Sequence, residues 1–114
     1  MGEPKKEAEI GFGNERVKQE YFALKEGRGE EQKLFEFLNR AFDDLEKNPA
    51  CGIKIPRGLW PEYYVKKFEV DNLWKYNLPD GWRLIYTIDA KEVRIFAIML
   101  EWMDHKDYER RFRY

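Results

Sequence analysis

Apolar residues recur with helical spacing in two stretches of the first half of the chain. In the first stretch, Val17, Tyr21 and Leu24 share one stripe, and Asn14 stands where a helix N-cap is expected. The second stretch runs from about Glu30 to Lys47, and its wider stripe comprises Leu34, Phe35, Phe37, Leu38, Ala41, Phe42 and Leu45. Gly27-Arg28-Gly29 separates the two stretches, and Asn48-Pro49 ends the second. The pattern predicts a helix hairpin.

From Leu73 onward the pattern is typical of strands. Three runs are rich in aromatic and β-branched residues: Leu73 to Leu78, Trp82 to Asp89, and Val93 to Leu100. Turn-forming residues separate them at Pro79-Asp80-Gly81 and again from Asp89 to Glu92. The segment from Asp104 to Arg113 is polar and aromatic, and it is predicted to be a short helix capped by Asp104.

The remaining segments are less regular. Residues 1–8 are charged and expected to be frayed, whereas Glu9 to Phe12 has the composition of a short first strand. Residues 50–72 form an irregular segment in which Pro61 is placed to open a short helix from Glu62 to Phe68. Residues 1–114 are therefore predicted to form one α+β domain, with the helix hairpin packed on a small antiparallel sheet of three to four strands and a short C-terminal helix.

Composition removes several classes of site. The chain has no serine, one threonine, one cysteine (Cys51) and one histidine (His105). Structural zinc needs a set of cysteines and histidines, and a Ser-His-Asp triad needs a serine, so both kinds of site are excluded. We expect no metal and no cofactor.

Hydropathy and charge bound the location and the partners. No stretch approaches the roughly 18 apolar residues of a membrane span, and Met1 to Ile10 lacks the apolar core of a secretory signal, which predicts a cytoplasmic protein. Charged residues make up 38% of the chain, a composition that favours a thermophilic source. The net charge is −1, but Cys51 to Tyr114 carries twelve bases against ten acids. Any anion-binding surface is therefore expected in this half, and the overall balance argues against a protein that coats nucleic acid.

The second half also carries the motif of a known family. A strand, a turn and the strand Trp82-Arg83-Leu84-Ile85-Tyr86 occur in order, and His105-Lys106-Asp107-Tyr108 follows the next strand. This order resembles the C-terminal half of RelE/ParE superfamily toxins, and the predicted helix hairpin agrees with their fold. The resemblance covers most of the chain except Cys51 to Asp71, which is longer and less typical. It implies a toxin that pairs with an antitoxin protein.

In the RNA-cleaving branch, the resemblance implies metal-independent cleavage of mRNA on the ribosome. That reaction needs a base for the 2′-hydroxyl proton, cations beside the phosphate and an acid for the leaving oxygen. Arg83 is the candidate cation, or else a surface arginine paired with a carboxylate. His105 is the candidate for proton transfer, or else a solvated side chain. Tyr108 is a candidate to donate a proton or stack on a base, or else packs on the sheet.

The positions that would bind RNA depend on the strand register. In the RelE branch, lysines alternate on the strand before the turn, where this chain has Trp74 and Tyr76. A two-residue turn places Tyr76 on the face of Arg83 and turns Lys75 away, whereas a shift by one residue reverses this. The candidate substrate-binding residues are Tyr76, Lys75, Lys54 and Arg110. YoeB-like toxins use a glutamate, an arginine and a histidine instead, and Glu62 and Glu69 are the candidate carboxylates.

The leading hypothesis is a RelE-like toxin that cleaves mRNA with Arg83, His105 and Tyr108, and that binds RNA, the ribosome and an antitoxin. The alternative is a noncatalytic module, either ParE-like and directed at a topoisomerase or kept for its antitoxin. The near-neutral charge favours the alternative, because ribosome binding usually recruits a basic surface. A third hypothesis is a small-anion-binding domain unrelated to toxins.

Overall fold

The computed structural model describes residues 7–112. In chain order the helices and strands are β1 (Glu9–Phe12), α1 (Glu15–Lys25), α2 (Glu30–Lys47), β2 (Ile53–Lys54), α3 (Glu62–Phe68), β3 (Trp74–Asn77), β4 (Arg83–Ala90), β5 (Ile95–Met103) and α4 (His105–Phe112). The predicted helix hairpin, the short helix after Pro61 and the C-terminal helix are confirmed. Arg113, the predicted end of the last helix, lies outside the described residues.

The strands form one sheet in the order β1-β5-β4-β3-β2. Neighbouring strands are antiparallel except β1, which runs parallel to β5. The predicted α+β class is confirmed, but the prediction of three to four antiparallel strands was wrong, since the described residues form five strands in a mixed sheet. The difference comes from the two short edge strands β1 and β2, of four and two residues, which carry little sequence pattern of their own.

The helix hairpin covers one face of the sheet. Asn14 caps α1 as predicted, because its side-chain Oδ1 accepts a hydrogen bond from the Val17 amide at 2.9 Å. The stripe of α2 packs on this face, and Leu38, Ala41 and Leu45 have no exposed surface. Burying one leucine side chain stabilises the fold by about 1.5–3 kcal/mol, so this stripe sets the orientation of the hairpin.

Helices α3 and α4 lie on the opposite face. Their buried residues Tyr64, Tyr108 and Phe112 pack with Ile85 and Leu100 of the central strands. A β-bulge interrupts the pairing of these strands, because Ile85 faces Glu101 whereas Tyr86 faces Met99. The extra residue, Leu100, packs in the same cluster, and the next residue, Glu101, contacts both helices of this face. The sheet is therefore covered by helices on both sides.

The two segments predicted to be frayed or irregular contain some regular structure. Residues 1–6, most of the stretch expected to be frayed, lie outside the described part. The amides of Glu7 and Ala8 donate to the Glu46 carbonyl at 2.8 and 3.0 Å, and Ala8 is buried, so fraying at these two residues is wrong. Residues 50–72 contain β2, α3 and two short 3-10 turns. Between residues 7 and 112, no helix is long and apolar enough to cross a membrane.

Candidate functional site

The turn between β3 and β4 determines which side chains share a face with Arg83. Asn77 pairs with Arg83, and the Leu78 amide donates to the Trp82 carbonyl at 2.8 Å, so three residues, Pro79–Gly81, form the connection. Asp80 and Gly81 both adopt positive φ, of 59° and 80°, a conformation that glycine and aspartate tolerate better than most residues. The two-residue turn is therefore wrong, and the alternative register, shifted by one residue, is the one present.

This register places Lys75, not Tyr76, on the face of Arg83. Trp74 and Tyr76 point to the helix hairpin, where the Tyr76 hydroxyl donates to the Asp44 carboxylate of α2. Burial and that carboxylate raise the pKa of Tyr76 to about 12. Tyr76, predicted to bind substrate beside Arg83, is thus on the other side of the sheet and holds α2 in place.

Two cations meet the ring of Tyr108 on the α4 face. Lys75 Nζ lies 4.9 Å and Arg83 Cζ 5.7 Å from the ring centroid. Tyr108 is only 2% exposed and stacks on Phe112, with ring centroids 4.6 Å apart. We call Lys75, Arg83 and Tyr108 the Tyr108 cluster. Because the ring is buried, it packs on the sheet in this conformation and is closed to a nucleotide base.

Arg83 lies half-buried beneath α4. Its Nη1 donates to the Trp82 carbonyl at 3.2 Å, whereas its Nε is buried and has no hydrogen-bond acceptor among the described residues. No carboxylate of residues 7–112 forms an ion pair with it. The guanidinium is therefore held by backbone and ring contacts, and the alternative of a surface arginine paired with an acid does not describe it.

His105 begins α4 at the same end of the sheet. Its Cβ is 3.4 Å from the position that a Cβ on Gly81 would take, so it lies beside the turn that leads into Arg83. His105 Nε2 is 2.9 Å from Glu109 Oε1, and its side chain is 56% exposed. The predicted cap of α4 is confirmed, since Asp104 Oδ1 accepts from the Asp107 amide at 2.9 Å. Arg83 and His105 thus share one end of the molecule, with the guanidinium half-buried and the imidazole in solvent.

The other candidate residues lie away from the Tyr108 cluster. Lys54 is exposed on the edge strand β2 and pairs with Trp74, which places it on the hairpin face. Arg110 is 81% exposed and 3.7 Å from Asp107. Glu62 pairs with Lys66 in α3, and Glu69 follows that helix in a left-handed conformation. The structure does not bring these four side chains to Arg83.

Three residues that the sequence did not single out hold α4 on the sheet. The Glu101 carboxylate accepts from the Tyr64 hydroxyl at 2.7 Å and from Arg111 Nη2 at 3.0 Å. Burial and the neighbouring Glu101 carboxylate raise the pKa of Tyr64 far above its usual value. Arg111 Cζ also lies 4.3 Å from the Tyr63 ring. These contacts through Glu101, which we call the tether, fix α4 and Tyr108 over Arg83. The sequence gives no signal for the tether, because a single glutamate in a strand does not reveal a bulge.

Comparisons with known proteins agree with the fold. A family model described as the ParE toxin of the type II toxin-antitoxin system, parDE, matches residues 16–104. The fold and this match define a toxin of a toxin-antitoxin pair, whose cognate partner is an antitoxin. The chain belongs to the ParE toxin family, which confirms the resemblance to the RelE/ParE superfamily. No curated protein and no solved structure matches the chain.

No group of three or more histidine, cysteine, aspartate or glutamate side chains within residues 7–112 is arranged to hold a metal ion. His105, which lies beside the turn at Gly81, and its partner Glu109 are both exposed. The candidate site therefore consists of a half-buried guanidinium under α4 and an exposed histidine–glutamate pair on that helix.

Proposed function

We propose that this toxin acts as a ParE-like binding module directed at a topoisomerase, without cleaving RNA. The observation that carries the proposal is the position of Tyr108, which is 2% exposed and lies over the guanidinium of Arg83. Arginine often holds a phosphate through two of its N–H donors at once. The Arg83 Nε is buried, so α4 would have to move before RNA reached that atom.

The charge distribution supports the same proposal. Ribosome binding usually recruits a basic surface, because contacts to phosphates supply much of its affinity. This chain carries 21 bases against 22 acids. A protein target places no such demand on net charge, since a protein interface depends on a packed apolar centre and local complementarity.

RNA cleavage remains the second candidate, and one specific observation favours it. Arg83 and His105 lie at the same end of the sheet, beside the turn at Gly81, although they are far apart in sequence. With Glu109 at 2.9 Å from the imidazole, that end holds a carboxylate, a histidine and an arginine, the residue types of YoeB-like toxins. Glu109 replaces Glu62 and Glu69 as the candidate carboxylate.

Paired assays on the wild type and His105→Ala distinguish the two functions. His105 is more than half exposed, so its removal leaves the fold intact. We expect both proteins to inhibit DNA supercoiling by gyrase to the same extent and to leave mRNA intact in a translation extract. Cleavage of mRNA by the wild type that His105→Ala abolishes would reject the proposal in favour of the RelE-like function. His105→Arg, which keeps a cation without a titratable imidazole, is the matched control.

A further inference from the structure

An apolar pocket lies in residues 53–70, within the segment predicted to be irregular. We propose that this pocket binds an acidic, amphipathic segment of the cognate antitoxin. The proposal rests on membership of the toxin family and holds whether the toxin acts on a topoisomerase or on RNA.

The pocket is shaped to receive side chains. It has a volume of about 280 Å³ and is lined by Arg57, Trp60, Glu62, Val65, Lys66 and Val70. The indole Nε1 of Trp60 donates to the Ile55 carbonyl at 2.7 Å, which fixes the orientation of the ring. Small-molecule sites usually exceed about 300 Å³, so a pocket of this size fits one or two apolar side chains of a protein partner better than a cofactor.

Exposed apolar side chains are concentrated in the segment that contains this pocket, and one of them, Val65, lines it. Among the described residues, five large apolar side chains are exposed, and three of them, Ile53, Leu59 and Val65, belong to this segment. Single exposed apolar residues are common on any protein, whereas a cluster of them marks an interaction site. The buried side chains of Ile55 and Tyr64 anchor the same segment to the sheet, so the exposed surface is carried on a fixed scaffold.

The charges of this segment favour an acidic partner, and the pocket itself is lined by two bases and one acid. The segment carries four bases and two acids, in a chain whose net charge is −1. Arg57 Cζ lies 4.8 Å from the Trp60 ring, at the pocket itself. Lys66 Nζ is 3.3 Å from Glu62 Oε2, and both side chains are more than three quarters exposed, at 77% and 84%. Such a surface ion pair contributes little, so Lys66 is available to a carboxylate of the partner.

The pocket is separate from the candidate site. None of the residues of the Tyr108 cluster lines it, and neither does His105. An antitoxin segment in this pocket would therefore add affinity for the toxin without occupying Arg83. Variants in the pocket should then weaken the pair while leaving the activity of the free toxin unchanged.

The test is a titration of toxin variants with the purified cognate antitoxin. Val65→Glu adds a carboxylate inside the pocket, and Val93→Glu, at a valine that is 92% exposed in the β4–β5 turn, is its control. Lys66→Glu reverses a rim charge, and Lys91→Glu is its control, because Lys91 also pairs with an acid at 3.3 Å. We expect Kd to rise about tenfold or more for the two pocket variants and less than about twofold for the controls.

Three outcomes would overturn the proposal. The first is that the wild type does not bind the antitoxin, and the second is that the pocket and control variants raise Kd equally. The third is that Val65→Glu weakens binding but Lys66→Glu does not, because the partner would then not be acidic. Circular dichroism establishes that each variant is folded. Inhibition of supercoiling by the free toxin is measured in parallel, so a failure of the proposed target is recognised separately.

Discussion

At the scale of single residues, Arg83 affects the free energy of unfolding through two contributions of opposite sign. A buried donor without an acceptor costs about 1–3 kcal/mol, and the Arg83 Nε is such a donor among the described residues. A cation over an aromatic ring contributes about 0.5–2 kcal/mol, and the guanidinium lies 5.7 Å from the Tyr108 ring. The two contributions nearly cancel, so stability alone does not explain an arginine at this position.

We predict that Arg83→Met leaves the free energy of unfolding unchanged or raises it by up to about 1 kcal/mol, because methionine keeps the packing and removes the unpaired donor. Urea denaturation of the wild type and the variant measures this difference. A loss of more than about 2 kcal/mol would mean that Arg83 Nε has an acceptor after all.

Tyr76 gives a pH-dependent prediction. Its pKa is raised to about 12 in the fold by burial and by Asp44, whereas a tyrosine in an unfolded chain titrates near its ordinary value of 10.0. The stability gained from the neutral hydroxyl is therefore complete below pH 10 and is lost as the pH rises to about 12. We expect Tyr76→Phe to be less stable than the wild type at pH 9, with the difference shrinking towards pH 12. A constant difference in unfolding midpoint across this range would contradict the assignment.

Gly52 and Gly58 form a matched pair in the irregular segment. A Cβ on Gly52 would lie 2.5 Å from the Tyr86 hydroxyl and 2.6 Å from the Lys75 carbonyl oxygen, whereas a Cβ on Gly58 meets nothing within 4 Å. We expect Gly52→Ala to destabilise by about 2 kcal/mol or more, since backbone must shift, and Gly58→Ala to be neutral or stabilising by up to about 1 kcal/mol. Thermal melts of the two variants check the contrast, and equal effects would contradict the placement of Gly52.

At the scale of elements, the position of α4 decides whether Arg83 is open or closed. The helix has eight residues, and its buried side chains Tyr108 and Phe112 pack on the sheet. The tether through Glu101, which accepts from both Tyr64 and Arg111, adds directional contacts to this packing. The bulge at Leu100 makes this possible, because it turns Glu101 towards α4.

Glu101→Ala should loosen α4 without unfolding the domain. The change leaves the Tyr64 hydroxyl and Arg111 without their acceptor. We expect the free energy of unfolding to fall by about 2 kcal/mol, which is less than for a fully buried ion pair because Arg111 is 35% exposed. Arg110→Ala, at a side chain that is 81% exposed, is the control and should cost less than about 0.5 kcal/mol. Hydrogen exchange should accelerate in α4 in the first variant alone. Equal exchange in both would argue against the tether.

Some of the helices and strand pairings could be predicted from the sequence, and others could not. The helix hairpin could be predicted because one apolar stripe and the Asn14 cap are local features, and both are present in the structure. The register at Pro79–Gly81 could not, since Asp80 in the left-handed region lengthens the turn by one residue and moves Tyr76 to the other face. The proximity of Arg83 and His105 also depends on pairing between β4 and β5, which no local pattern specifies.

At the scale of the whole molecule, the face of the sheet that α3 and α4 cover carries two surfaces with different features. One end carries Arg83 under Tyr108 with His105 beside it, whereas the segment 53–70 carries an apolar pocket and exposed bases. A toxin needs a surface for its target and a surface for its antitoxin. The two features supply one candidate for each.

The central claim is that the toxin acts by binding its target and not by catalysis. Titration of gyrase with the purified toxin tests this claim most directly. Inhibition by binding should reach its end point at a toxin concentration that rises in proportion to the gyrase present, with mRNA intact in a translation extract at the same concentrations. Fragmentation of mRNA by toxin far below the ribosome concentration, with supercoiling unaffected, would contradict the account.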